Sequence, residues 1–155
     1  MTALEKLPEI EKPLLGEILV QRKVITPEQL KEALEIQKKE KQFLGEILVK
    51  LGYIEERDIV VALIIQYNLP YIAINKYDID KEILKLVPAE IAREFHLIPL
   101  DRVGNVLSVV MADPLNMTVR KKLEEMTQCK VATFIATETE IDEAVARWYG
   151  PGKQK

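Results

Sequence analysis

Residues 14–37, LLGEILVQRKVITPEQLKEALEIQ, are followed after a five-residue spacer by residues 43–66, FLGEILVKLGYIEERDIVVALIIQ. At an offset of 29 the two 24-residue blocks agree at 11 positions, six of them consecutive over 15–20 and again over 44–49. Agreement resumes at Ile25/Ile54, Ala33/Ala62, Leu34/Leu63, Ile36/Ile65 and Gln37/Gln66. Repetition at a fixed period means one supersecondary unit used twice, each copy covering the apolar face that its twin cannot bury alone. Such a tandem pair also suits a ligand or partner with two-fold symmetry of its own.

Each block reads as two helices. In the first, Gly16 opens a run in which Leu15, Ile18 and Leu19 share a face. The chain breaks near Ile25 and restarts at Thr26-Pro27-Glu28-Gln29, an N-cap, a first-turn proline and the distal half of a capping box. In the second, Gly52 stands where a helix C′ residue needs positive φ. The helix that follows carries Ile59, Val60, Val61, Leu63, Ile64 and Ile65 almost all round, which predicts a central, buried element. Leu19, Leu34, Leu48, Leu63 and Ile64 are the expected core of a four-helix unit over residues 14–68, preceded by an arm over 1–13.

The pattern changes after residue 68. A possible short strand over 71–74 is followed by two short helices over 80–86 and 88–95, with Pro88 at a first helical position. Strands are predicted over 96–102 and 106–111 around a Gly104-Asn105 turn, then a helix over 117–127 and a strand over 130–136. Thr137 to Glu140 is a second capping box, opening a helix that runs to Tyr149. The fold class is therefore α+β, with three or four strands in a small subdomain over 69–150 and a tail or linker over 151–155. A β-α-β-β-α-β order would permit a ferredoxin-like sheet.

Bulk properties narrow the function. With 48% apolar and 30% charged residues the chain reads as soluble and globular. A formal charge of −3 argues against a DNA or RNA binder, though not against a small anion held locally. Cys129 is the single cysteine, so no intramolecular disulfide can form and a reducing cytoplasm fits. The longest purely apolar run, 59–65, is far below the roughly 18 residues that a membrane span needs. The N-terminus has no apolar signal core, so a cytoplasmic location without membrane insertion is expected.

The paired blocks, their spacer and the α+β half together resemble the N-terminal domain of type II secretion and type IV pilus assembly ATPases of the GspE and PilB type, in the version called MshEN. The resemblance covers about residues 14–150. The family block runs Arg-Leu-Gly-x-x-Leu-Val-x-x-Gly-x-Ile, then leucines at helical spacing and a terminal Gln. It is matched by Leu15, Gly16, Leu19, Val20, Ile25, Leu30, Leu34 and Gln37, and again by Leu44, Gly45, Leu48, Val49, Gly52, Ile54, Leu63 and Gln66. The stretch Met111-Ala112-Asp113-Pro114-Leu115 resembles the family's second half.

The resemblance implies a regulatory or docking domain of a motor ATPase, with the motor domain and an inner-membrane platform protein as partners. It also implies a cyclic di-GMP site across the two repeats. Glycine would let a base or sugar approach the backbone, helix N-termini would offer amides to phosphate, and leucines would face the guanines. The implied ligand set is Leu14, Leu15, Gly16, Leu19, Val20, Gln37, Phe43, Leu44, Gly45, Leu48, Val49, Gly52, Gln66 and Asp113. The family's leading arginine, suited to stacking on guanine and pairing with it, is replaced here by Leu14 and Phe43, and Lys23 stands at a family glycine. The alternative implied function is a protein-interaction module with no nucleotide site.

Several residues read two ways. Gln37 and Gln66 end apolar stripes and bond either a ligand or backbone. Gly16 and Gly45 admit a ligand or let two hairpins pack closely. Phe43 stacks on a base or belongs to the core, and Lys38, Lys39 and Lys41 attract phosphate or form a solvated spacer. Asp113 is a turn residue or a ligand contact. His96 and Cys129 lack partners at metal-ligand spacing and read as structural. No Gly-x-x-x-x-Gly-Lys-[Ser/Thr] loop and no nucleophile–histidine set can be drawn from the sequence, so no metal and no catalysis are expected.

Overall fold

The computed structural model describes residues 15–40 and 42–150. The chain divides after Gln66 into two compact units.

In the first unit, helix α1 (Leu15–Gln21) leads to α2 (Pro27–Glu40), and α3 (Leu44–Lys50) leads to α4 (Glu56–Tyr67). The repeat governs their ends. After α1, Lys23 N–H bonds Val20 O at 2.9 Å and Val24 N–H bonds Leu19 O at 2.9 Å; after α3, Gly52 bonds Val49 O at 2.9 Å and Tyr53 bonds Leu48 O at 3.1 Å. These are two Schellman stops in the same register. Both C′ residues are left-handed, Gly52 at φ 81° and Lys23 at φ 61°. The next helices start from capping bonds at repeat-equivalent positions. Thr26 N–H donates to Gln29 Oε1 at 2.9 Å and Gln29 N–H to Thr26 Oγ1 at 3.1 Å. In the second copy Glu55 N–H donates to Asp58 Oδ2 at 2.8 Å.

Burial follows the repeat through Ile18/Ile47, Leu19/Leu48, Ile25/Ile54 and Ala33/Ala62, all in the core. It then departs from expectation. Leu63 is 2% exposed but its twin Leu34 is 39% exposed, and Ile64 is 36% exposed. Helix α4 is not buried all round, since Val61 and Ile65 also face solvent. An apolar helix surface buries only where a neighbour covers it, and α4 is covered on the side of Val60, Ala62 and Leu63.

The second unit has a 3₁₀ turn (Ile74–Lys76), α5 (Lys81–Leu84), α6 (Ala89–Phe95), β1 (Leu97–Val103), β2 (Val106–Met111), α7 (Met117–Thr127), β3 (Lys130–Ile135) and α8 (Glu138–Tyr149). Pro88 is the N-cap of α6 rather than its first helical residue. β1 and β2 form an antiparallel hairpin around Gly104-Asn105, and α7 is the crossover that brings β3 parallel to β2. The sheet order is β1-β2-β3. The expected strand at 71–74 is a single bridge from Tyr71 to Ile135, because Ile74 turns into the core in the 3₁₀ turn. Among the described residues the sheet has three strands, and they do not make the ferredoxin-like order.

Helices sandwich this sheet. On one face Ile98 and Val110 pack with Ile74 and with Ile141, Ala144 and Val145 of α8. On the other, Leu97, Leu107, Val109 and Val131 pack with Val119 and Leu123 of α7 and with Cys129. α8 begins with a complete capping box between Thr137 and Glu140. No described helix is long and apolar enough to cross a membrane.

Candidate functional site

The repeated Leu-Gly pairs meet one another. A Cβ built on Gly16 would lie 3.0 Å from Leu44 Cδ2, and one built on Gly45 would lie 3.6 Å from Leu15 Cδ2. Each Leu-Gly thus touches the other copy's Gly-Leu, the reciprocal contact of a two-fold axis. The same glycines receive the second helix of their own copy. Their Cβ positions would fall 2.5 Å from Leu30 Cδ1 at Gly16 and 2.6 Å from Ile59 Cδ1 at Gly45. Leu30 and Ile59 are themselves repeat equivalents. Both glycines are buried, and their missing side chains make room for leucine and isoleucine.

Around this crossing the implied ligand residues separate into three kinds. Leu19 and Leu48 are wholly buried. Leu15, Val20, Phe43, Leu44 and Val49 are half-buried, and Gly52 and Gln66 are exposed. Phe43 is the N-cap of α3, extended at φ −62° and ψ 139°, with no side-chain cap bond. Gln37 donates from Nε2 to the carbonyl of Gln42 at 2.9 Å, closing the loop between α2 and α3. Its bond is to backbone. Leu14 and Lys41 lie outside the described residues, as do the arm and the tail; Lys38 and Lys39 are exposed.

Asp113 belongs to the second unit, in the bend between β2 and α7. Burial pushes its carboxyl above the usual carboxylate range, partly opposed by the Leu115 backbone amide. It precedes the buried Pro114 and behaves as a turn residue. His96 caps α6 in the left-handed region at φ 52°. Its Nδ1 lies 2.7 Å from Asp142 and its Nε2 lies 3.0 Å from Glu138, one turn apart on α8. The sequence missed this clamp because its members are more than 40 residues apart.

Comparison with known proteins bears on these features. The family model described as MshEN domain matches residues 67–155. The type IV pilus assembly ATPase PilB of Myxococcus xanthus is 38% identical over 135 residues, 87% of this chain and 24% of that protein. The type II secretion system protein E of Xanthomonas campestris is 26% identical over 141 residues, 88% of this chain and 25% of that protein. The chain therefore spans about a quarter of the length of these relatives. A solved structure of MshE with cdg, cyclic di-GMP, superposes with a TM-score of 0.71 at 27% identity, covering 89% of this chain and 100% of that one.

Proposed function

The chain belongs to the MshEN domain family, and on that premise we propose that it is the regulatory and docking module of a type IV pilus or type II secretion motor ATPase, with its paired repeats forming a cyclic di-GMP site. The observation that carries this reading is the reciprocal crossing of Leu15-Gly16 with Leu44-Gly45. Cyclic di-GMP is itself two-fold symmetric, so a surface built twice offers equivalent contacts to each guanine and each phosphate. The half-buried Leu15, Val20, Leu44 and Val49 supply apolar area on both halves. The likeness to MshE, whose structure was solved with that nucleotide, supports the same reading. The module works in the cytoplasm on a motor domain and an inner-membrane platform protein, and has no catalytic role of its own.

A second reading, docking without any nucleotide site, is favoured by one observation: Leu14 and Phe43 occupy the positions of the family's arginines. By analogy with arginine–guanine pairs in DNA, each bidentate contact is worth about 1–3 kcal/mol. Two of them correspond to about 30-fold to about 10⁴-fold in affinity. Calorimetry on the native chain is expected to give weak binding of cyclic di-GMP. The double variant Leu14→Arg/Phe43→Arg should tighten it by that factor. If neither protein binds, the nucleotide reading fails and docking stands alone. Gly45→Leu is unsuitable as a binding control, because its side chain would collide with Ile59 inside the fold.

A further inference from the structure

A recess of about 440 Å³ opens in the second unit, on the sheet face that carries Leu100, Ser108 and Phe134. Ile72, Ile83, Leu100 and Phe134 give it an apolar side, beside Tyr77 and Ser108. Three carboxylates stand around it: Asp78 and Asp80 from the segment before α5, and Asp101 from β1.

The placement of Asp101 is specific. In a regular strand, Leu100 and Asp101 would point to opposite faces of the sheet. The β1–β2 register slips between Pro99 and Asp101, however, so that Asp101 pairs with Ser108 and Leu100 has no partner in the ladder. Both Leu100 and Asp101 then line the recess. A bulge re-aims a side chain in this way, here setting a carboxylate beside an apolar pocket.

We propose that this recess docks an arginine-bearing segment of a protein partner. The aliphatic stem of arginine lies against the apolar side while its guanidinium stays at the polar mouth, the division such side chains adopt at interfaces. A planar fork of donors matches carboxylates better than a lysine ammonium does. Charge complementarity therefore selects a basic segment. The rim already attracts a guanidinium, since Arg147 Nη2 lies 3.9 Å from Asp78 Oδ1. That pair is exposed and loose, so an incoming arginine displaces it at little cost. One oxygen of Asp80 accepts the Glu82 amide and fixes that carboxylate at the edge. Every residue that lines the site belongs to the second unit, and its standing does not depend on nucleotide binding at the repeats.

The test is a titration of the full chain, followed by amide NMR, with the blocked peptide acetyl-Leu-Arg-Leu-amide and its glutamine and glutamate counterparts. The arginine peptide is expected to move the resonances of Ile83, Asp101 and Ser108, with the glutamine peptide at least about tenfold weaker. Raising salt from about 50 to about 500 mM should weaken binding, because the rim charges are solvent-accessible. Asp78→Asn/Asp101→Asn alters two exposed residues and should cost about tenfold in affinity. Ser108→Phe, which fills the recess, should abolish the shifts. Equal shifts from the arginine and glutamate peptides, native-like titration of the double asparagine variant, or no shifts at all would overturn the proposal.

Discussion

A methyl group at Gly45 would lie 2.6 Å from Ile59 Cδ1, well inside contact distance, so the end of that half-buried side chain must shift to admit it. Gly45→Ala is therefore expected to destabilise the chain by about 1–3 kcal/mol in urea titrations, the usual range for overpacking. Adding Ile59→Val removes the offending methyl and should recover part of that loss. Recovery would identify the glycine as a packing residue; a cost that Ile59→Val leaves untouched would count against this account. Asp113 offers a second test. Its carboxyl is raised above 3.8 by burial, so the folded state holds the proton where the unfolded chain releases it. Stability from this group is complete below the unfolded value and is lost as pH rises through the folded one. Asp113→Asn, which keeps the acceptor for Leu115, should be more stable than the native chain at neutral pH, with the gap closing towards acid. A constant gap across pH would remove the titration from the explanation. Both roles were open in the sequence, because spacing marks a glycine or an aspartate without saying what faces it.

Among the elements, those with local causes were legible. The boxes at Thr26/Gln29 and Thr137/Glu140 need only residues three apart, and both form as read. The strand expected at 71–74 was not legible, since its one pairing, at Tyr71, depends on Ile135, 64 residues further on. Burial on α2 and α4 was legible only in part. Leu34 and Leu63 occupy the same place in the repeat yet differ from 39% to 2% exposed, because periodicity marks an apolar stripe and not the neighbour that covers it. Truncation should expose that difference. Leu63→Ala is expected to cost about 2–5 kcal/mol, the range for a buried leucine. Leu34→Ala should cost under about 1 kcal/mol, as surface changes do. Equal losses in thermal or urea unfolding would mean that the two copies are packed alike after all.

For the whole molecule, the division after Gln66 matters more than any single contact. Both hydrophobic clusters of the second unit are assembled from residues that follow Tyr67, on the two faces of one sheet. The α8 cap, the Tyr149 hydroxyl bonds to the Leu84 and Val87 carbonyls, and the His96 clamp to Asp142 also lie wholly within it. The recess at Asp101 was hidden from sequence reading for a related reason: its walls come from four stretches of this unit, and a bulge, which no periodicity reports, turns Asp101 towards it. A segment of this size, close to 90 residues, is large enough to bury a core of its own. Residues 67–155 expressed alone should therefore give a dispersed amide spectrum and unfold in one cooperative step. The slowest-exchanging amides should lie in β2, the central strand. A collapsed but undispersed spectrum would show that this unit needs the repeats in order to fold, and the two-domain division would have to be abandoned.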